Sequence, residues 1–258
     1  MDWQAAAALI SGSGVGFLLG LLGGGGSVLA VPLLLYFVGV PNTHFAIGTS
    51  ALGVSINAAV NLIGHARNGV VKWPCALTFA FAGIIGAALG STLGKMIDPE
   101  PLMVIFALAM AGVAASMWRP ASGEGLADVQ LNPRIAIRLG GIGLVVGTAS
   151  GFFGIGGGFL IVPGLILGSR MPMLNAVGSS LLAVALFGAT TAFNYALSGY
   201  VLWDIAGWMV VGGVAGGALG IWVSKKLAAK RALLQRLFAG FVMMVAVYVA
   251  ARALGWLT

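Results

Sequence analysis

Charged side chains are scarce in this sequence. Asp, Glu, Lys and Arg make up 7% of its 258 residues, whereas hydrophobic residues make up 60%. Soluble domains carry roughly 25% charged residues, so this chain cannot cover a water-exposed surface. A soluble enzyme and a nucleic-acid-binding domain are therefore excluded. The composition predicts an all-α polytopic membrane protein whose partner is the lipid bilayer.

Buried carboxylates and cysteines are also nearly absent. Asp98, Glu100 and Asp204 all lie at the boundaries of hydrophobic runs, whereas cation exchangers usually need a buried acid. The two histidines have no acidic neighbour that would complete a catalytic or metal-binding set. Cys75 is the only cysteine, which excludes an internal disulfide and a cysteine metal cluster. We therefore expect neither an enzyme nor a cofactor or metal site.

Hydrophobic runs account for most of the chain. Runs of about 20 residues can cross the ~30 Å hydrocarbon core as helices. The runs that begin at 27 and 158 are shorter, which leaves open whether eight or ten segments cross fully. Met1-Asp2-Trp3 lacks the positive charge of a secretory signal, so we expect the first run to be retained. The runs cover residues 5–22, 27–39, 45–66, 74–96, 101–118, 135–153, 158–169, 174–197, 205–224 and 232–254.

One polar stretch divides the chain into two halves of similar length. Residues 119–134 are predicted to be a linker between a first transmembrane repeat, 1–118, and a second, 135–258. The two halves repeat each other at an offset of 131 residues, which becomes 130 after one deletion. Gly12, Gly16, Gly20 and Trp73 recur as Gly143, Gly147, Gly151 and Trp203. This internal duplication is typical of secondary transporters, which bind substrate at the repeat interface.

The positions of the charges predict an orientation. If all five runs of each half cross the membrane and the N-terminus is outside, Arg67, Lys72, the linker, Arg170 and 225–231 all lie inside. The positive-inside bias is then satisfied. An odd number of crossings in each half makes the two halves inverted repeats, which is the arrangement we expect.

Two glycine clusters interrupt the apolar sequence. Gly23–Ser27 and 154–158 each precede a short run, and each glycine costs a helix ~1 kcal/mol relative to alanine. Non-helical backbone at membrane depth is tolerated where it is buried in protein or lines a polar cavity. Free N–H groups at the start of each short run favour an anion. We expect the two breaks, near the membrane midplane, to hold the anion between them, whereas Gly12, Gly16 and Gly20 permit helix crossing.

The third run of each half carries a polar stripe. Ser50, Asn57, Asn61, His65 and Asn68 are spaced to lie on one helix face, and Ser180, Thr191, Tyr195 and Ser198 occupy equivalent positions in the second half. The stripes predict either a shared cavity, which their repetition favours, or interhelical hydrogen bonds. For His65, a hydrogen-bonded helix residue is favoured over a proton relay. The predicted substrate-binding residues are Gly25, Gly26, Ser27, Thr49, Ser50, Asn57, Asn61, His65, Gly156, Gly157, Gly158, Ser179, Ser180, Thr191, Asn194 and Tyr195.

The paired motifs resemble those of the sulfite exporter TauE/SafE family. They are the segments 23–32 and 154–163, each ending in Val-Pro, the segments 46–50 and 176–180, and the closures Gly69 to Trp73 and Gly199 to Trp203. The resemblance covers nearly the whole chain. It implies a multi-pass permease of the bacterial inner membrane that moves sulfur-containing anions such as sulfite or organosulfonates. Asn57 is matched by Phe187 and His65 by Tyr195, which favours one asymmetric site.

The sequence therefore predicts a secondary transporter for a small anion, with a passive anion channel as the alternative. A homodimer is a further partner that the sequence allows. No hydrophobic run carries a central Lys or Arg, so neutral groups must hold the anion. The donors we expect include backbone N–H groups, hydroxyls and the amides of Asn57 and Asn61. Such a set suggests micromolar-to-millimolar affinity.

The charge distribution gives a first testable prediction. Single cysteines introduced at Lys225 and Thr258, in a variant that lacks Cys75, should react with membrane-impermeant reagents from opposite sides of the membrane. Lys225 should be labelled from the cytoplasm and Thr258 from outside. Labelling of both positions from one side would contradict the predicted orientation.

Overall fold

The structure is a computed structural model that describes residues 2–118, 131–154, 158–226 and 231–254. The described residues form helices joined by short connections. Between α1 and α3 the chain passes through a 3₁₀ turn at Gly23–Leu29, the short α2 and a π-helical stretch at Leu33–Val38. The α-helices are α1 (Trp3–Leu22), α2 (Ala30–Pro32), α3 (Thr43–Arg67), α4 (Trp73–Lys95), α5 (Pro99–Trp118), α6 (Pro133–Phe153), α7 (Gly158–Ser169), α8 (Met173–Ala196), α9 (Trp203–Lys226) and α10 (Arg231–Ala253).

Each predicted hydrophobic run coincides with a helical segment, and the chain is an all-helical, polytopic membrane protein. Seven helical stretches of the described ranges are long and apolar enough to cross a bilayer. The predicted linker, 119–134, falls largely outside the described residues. Its last two positions, Pro133 and Arg134, already belong to α6, because Asn132 caps that helix by accepting a hydrogen bond from the N–H of Ile135 at 2.9 Å.

The segment Gly23–Val38, which we call the return segment, folds back along α1. Phe37 near its end packs edge-on against Trp3 at the start of α1, with 5.8 Å between the ring centroids. In the second half α7 folds back along α6 in the same way, since Gly168 faces Leu139 and Gly164 faces Ile142. Each half therefore opens with a helix followed by a shorter helical segment that reverses its course.

Helices of opposite halves pack directly on each other through glycine. A β-carbon added at Gly12, Gly16 or Gly20 of α1 would collide with the backbone of α9, at Met209, Gly213 and Gly217 respectively. The residue numbers of the contacting positions increase in the same direction along both helices, so α1 and α9 run parallel. The glycines of α6 meet α4 in the same pattern: Gly143, Gly147 and Gly151 face Phe79, Gly83 and Ala87.

The contacts are reciprocal. Gly212, Gly216 and Gly220 of α9 lie against the backbone of α1, and Gly86 and Gly90 of α4 lie against that of α6. Small residues on both surfaces let the helices approach until backbone meets backbone. The expectation that the spaced glycines serve helix crossing agrees with this geometry.

Helices α3 and α8, which are equivalent in the duplication, run antiparallel through the centre of the molecule. They are joined by a hydrogen bond of 2.7 Å from the Ser55 hydroxyl to the Ala185 carbonyl. These two positions are separated by the 130-residue offset of the duplication. Away from this crossing point, His44 lies near Tyr195 at one end and His65 lies near Gly178 at the other. Each of these two helices thus packs against its own equivalent in the duplication, which runs in the opposite direction.

Glycine packing gives a prediction about stability. Gly16→Leu should destabilise the protein by about 1–3 kcal/mol, because the new side chain must push α1 away from α9. Gly141→Leu is the matched control, since a β-carbon at Gly141 meets nothing within 4 Å. Thermal unfolding in detergent would measure both. Equal melting temperatures for the two variants would contradict direct backbone packing between α1 and α9.

Candidate functional site

The first glycine break is buried and is contacted by a serine of the other half. The break begins at Gly23, whose φ of +70° is in the left-handed region that glycine tolerates. The N–H of Gly24 donates to Ser180 Oγ of α8 at 3.2 Å, and Ser27 Oγ donates to the Gly24 carbonyl at 2.9 Å. The sequence predicted free N–H groups at this break. That was wrong for Gly24, whose N–H is bonded to the serine.

The second break is contacted by the equivalent serine on the central helix of the first half. Gly154 also has a positive φ, +67°. Ser50 Oγ of α3, the equivalent of Ser180, lies 3.3 Å from the Gly154 carbonyl and 3.0 Å from that of Ile47. Gly156 and Gly157 lie outside the described residues, and Gly158 is the first residue of α7. The described part of each break is therefore contacted by a serine on the central helix of the opposite half.

The two breaks do not surround one common point. Ser50 and Ser180 each lie five residues before the contact of Ser55 with Ala185. Because α3 and α8 are antiparallel, these steps of about 7.5 Å point in opposite directions and place the two serines about 15 Å apart along the helices. A small oxyanion cannot contact both. The prediction that one anion is held between the two breaks does not fit this arrangement.

Two further predicted hydroxyls hold loops. Thr49 Oγ1 accepts a hydrogen bond from the N–H of Leu202 at 3.0 Å, and Ser179 Oγ accepts one from the N–H of Lys72 at 2.9 Å. The acceptors are equivalent in the two halves, and each holds the loop that precedes a helix of the opposite half. Thr49 therefore stabilises the α8–α9 connection, and Ser179 stabilises the α3–α4 connection.

The amides of the α3 stripe point into the packing between α1 and α9. Asn57 Nδ2 donates to the Met209 carbonyl at 3.2 Å, and Asn61 Nδ2 donates to the Asn57 carbonyl at 2.8 Å. His65 Nε2 lies 3.2 Å from the Gly20 carbonyl. Both amide oxygens are buried and have no hydrogen-bond partner within the described part of the chain. The groups left over are acceptors, which do not stabilise an anion, so the expectation that these amides donate to substrate does not fit this conformation.

The corresponding stripe on α8 ends in an aromatic cluster. Thr191 Oγ1 and the Tyr195 hydroxyl are fully buried and have no hydrogen-bond partner among the described residues. The Tyr195 ring lies 6.2 Å from the His44 ring and 6.3 Å from the Tyr200 ring. His44 Nδ1 is likewise buried, and no described residue forms a hydrogen bond with it. Sequence reasoning missed His44 and Tyr200 because α3 and the loop after α8 are distant in sequence.

Lys95 lies beside this cluster. Its ammonium donates to the Asn194 carbonyl at 3.1 Å, to Asn194 Oδ1 at 2.8 Å and to Ser198 Oγ at 2.9 Å. The same ammonium lies 5.9 Å from the centre of the Tyr195 ring. Asn194, a predicted site residue, therefore serves to hold this cation at the end of α8. Sequence reasoning did not identify Lys95 as a site residue, because its partners Asn194 and Ser198 lie about 100 residues later in the chain.

A phenylalanine of the last helix of each half lies beside each break. The Phe238 ring is 3.9 Å from the position of a β-carbon on Gly25. In the other half the Phe106 ring packs against Phe153, immediately before Gly154, with 5.7 Å between centroids. Both phenylalanines are buried. They lie among many apolar residues of α5 and α10, and no sequence signal distinguishes them.

Comparison with known proteins identifies the family. The model of the sulfite exporter TauE/SafE family matches residues 8–249. The chain belongs to this family. No solved structure matches it significantly.

The relatives of this TauE/SafE chain are described as transporters. A protein of Xylella fastidiosa strain Temecula1, named a probable membrane transporter protein, is 52% identical over 94% of both chains. A protein with the same name from strain 9a5c is 51% identical over the same shares. The archaeal protein MJ0441 of Methanocaldococcus jannaschii, also named a probable membrane transporter protein, is 28% identical over 84% of this chain and 86% of its own. The chain is thus a multi-pass membrane protein and a probable transporter, not an enzyme.

The position of the α3 amides gives a prediction. Asn57→Ala should lower stability by about 1 kcal/mol, because it removes a buried interhelical hydrogen bond to Met209. Asn68→Ala is the control, since its exposed side chain donates to the carbonyl of Gly64, one turn earlier in the chain. Thermal unfolding in detergent would compare them. If Asn57 contacted substrate instead, its replacement would leave the melting temperature unchanged and would weaken anion binding.

Proposed function

We propose that this protein is a secondary transporter for small sulfur-containing anions such as sulfite or organosulfonates. The observation that carries the proposal is the first glycine break, where the Gly24 N–H and the hydroxyls of Ser27 and Ser180 meet inside the membrane-spanning part of the chain. Neutral donors at the start of a helical segment are a suitable set for an anion. The matching family and the bacterial relatives favour this substrate class and a location in the inner membrane.

The N–H that binds Ser180 in this conformation is the group we assign to the substrate. Its 3.2 Å hydrogen bond to a neutral hydroxyl is long, and a charged oxygen is a stronger acceptor. An arriving oxyanion would replace Ser180 Oγ at the Gly24 N–H, and it would receive the serine hydroxyl as a second donor once that hydroxyl leaves the Val177 carbonyl, to which it donates at 2.8 Å. Two such hydrogen bonds and one helix terminus support binding in the micromolar-to-millimolar range.

In this proposal the substrate has two binding sites, one at each glycine break, in place of the single shared site. The equivalent helices α3 and α8 run antiparallel, and α1 pairs with α9 as α6 pairs with α4. These contacts favour the inverted-repeat arrangement, in which the same sequence element faces opposite sides of the membrane in the two halves. Rocking of the α1–α9 pair against the α6–α4 pair would then expose the break near Gly24 to one side and the break near Gly154 to the other.

The decisive variant is Gly25→Val. A β-carbon at Gly25 meets only Phe238 at 3.9 Å and Leu22 at 4.0 Å, which are ordinary contacts. The added methyl groups should therefore block the approach of an anion to the break while the fold persists. We expect sulfite uptake into proteoliposomes to be abolished and the melting temperature to stay close to that of the wild type.

Two comparisons make this test specific. Gly141→Val places the same side chain in open space on α6 and should keep wild-type uptake. A chloride flux assay on the same proteoliposomes would distinguish a passive anion channel, since a channel would carry both anions down their gradients without saturation or coupling. Wild-type sulfite uptake by Gly25→Val would remove the first break from the mechanism.

A further inference from the structure

An apolar groove opens between the first helices and the last helix of the chain. It has a volume of about 360 Å³ and is walled by hydrocarbon and aromatic side chains of α1, the return segment and α10. We call it the α1–α10 groove. Its principal wall residues are Gly14, Leu18, Pro32, Tyr36, Phe241 and Tyr248.

Gly14 has no packing role that explains it. The neighbouring glycines of α1, Gly12 and Gly16, press against the backbone of α9, whereas a β-carbon at Gly14 would meet nothing within 4 Å. Glycine inside a helix costs about 1 kcal/mol relative to alanine. The structural effect of Gly14 is to leave the groove open.

The second half lacks the glycine and the tyrosine that shape this groove. At the offset of the duplication Gly14 corresponds to Val145 and Tyr36 to Leu167. Both second-half residues are large and mostly exposed, at 69% and 68%. The open floor at Gly14 and the aromatic ring of Tyr36 are therefore not repeated in the second half, and the internal duplication does not account for them.

One end of the groove carries a cation. Arg252 lies one helical turn beyond Tyr248, and its guanidinium is 5.7 Å from the centre of the Tyr36 ring. In the described part of the chain this ring is the one recorded partner of the guanidinium, and no carboxylate pairs with it. The Tyr36 and Tyr248 rings meet edge-on at 5.3 Å, and Trp3 packs on Phe37 at the same end. Tyrosine and tryptophan at the end of membrane helices mark the level of the lipid headgroups.

We propose that the α1–α10 groove binds one acyl chain of an anionic phospholipid whose phosphate contacts Arg252. Phe241, Val245, Tyr248 and Arg252 follow each other at helical spacing along one face of α10. The wall from Phe241 to Tyr248 is therefore about 10 Å long and runs from the headgroup level into the hydrocarbon core. The hydrocarbon walls fit the acyl chain, and the guanidinium, which pairs with no carboxylate of the described residues, fits the phosphate. A lipid at this position would contact the return segment that carries the first glycine break.

Native mass spectrometry of the purified full-length chain tests this proposal. The protein would be mixed with phosphatidylglycerol and phosphatidylcholine of identical acyl chains, and bound lipid would be counted for each. The wild type should retain phosphatidylglycerol preferentially. Arg252→Gln should reduce that preference about fivefold, the effect of one basic residue at an anionic headgroup. Gly14→Leu should fill the groove and abolish retention of both lipids, whereas Gly141→Leu should bind them as the wild type does.

Three results would overturn the proposal. The first is equal lipid retention by Gly14→Leu and Gly141→Leu, which would show that lipid binds elsewhere. The second is an unchanged headgroup preference in Arg252→Gln. The third is a wild-type dimer that Gly14→Leu converts to a monomer in the same spectra, which would show that a second copy covers this face.

Discussion

Close backbone contact between helices of opposite halves is the constraint on which the rest of the structure depends. In lipid there is no hydrophobic force between apolar helices, so association relies on packing and hydrogen bonds. Glycines on α1 and α9, and on α6 and α4, bring the backbones together. These two pairs leave α3 and α8 at the centre, where their serines reach the glycine breaks. The position of each break therefore follows from the glycine packing around it.

Periodic features of the sequence predicted much of this fold. The hydrophobic runs predicted the helices, because a segment that crosses lipid must form its backbone hydrogen bonds within itself. The spaced glycines, Gly12, Gly16 and Gly20, indicated close helix crossing, since their spacing places them on one face. The partner of that face could not be predicted. Helix α1 packs on α9, about 200 residues later in the chain, and the sequence of neither helix indicates that the other is its packing partner.

Predictions about the site were less accurate, because they depended on which way each polar group points. Ser50 and Ser180, which the sequence predicted as substrate-binding residues, contact the glycine breaks. Asn57 lies on the predicted face, yet its donor is used by the Met209 carbonyl of α9. A helical period specifies the face of a side chain but not whether a neighbouring helix or a cavity covers that face. Lys95 was overlooked for a related reason, since its partner Asn194 lies in the other half.

The pairing of α1 with α9 also has a consequence for biosynthesis. The glycine face of α1 enters the membrane among the first segments, and the backbone that covers it emerges from the ribosome near the end of translation. Until then the N-terminal half has a surface of small residues without its native cover, and neither half contains both members of a glycine pair. The two halves of this duplicated protein cannot fold as independent units, although each repeats the sequence pattern of the other.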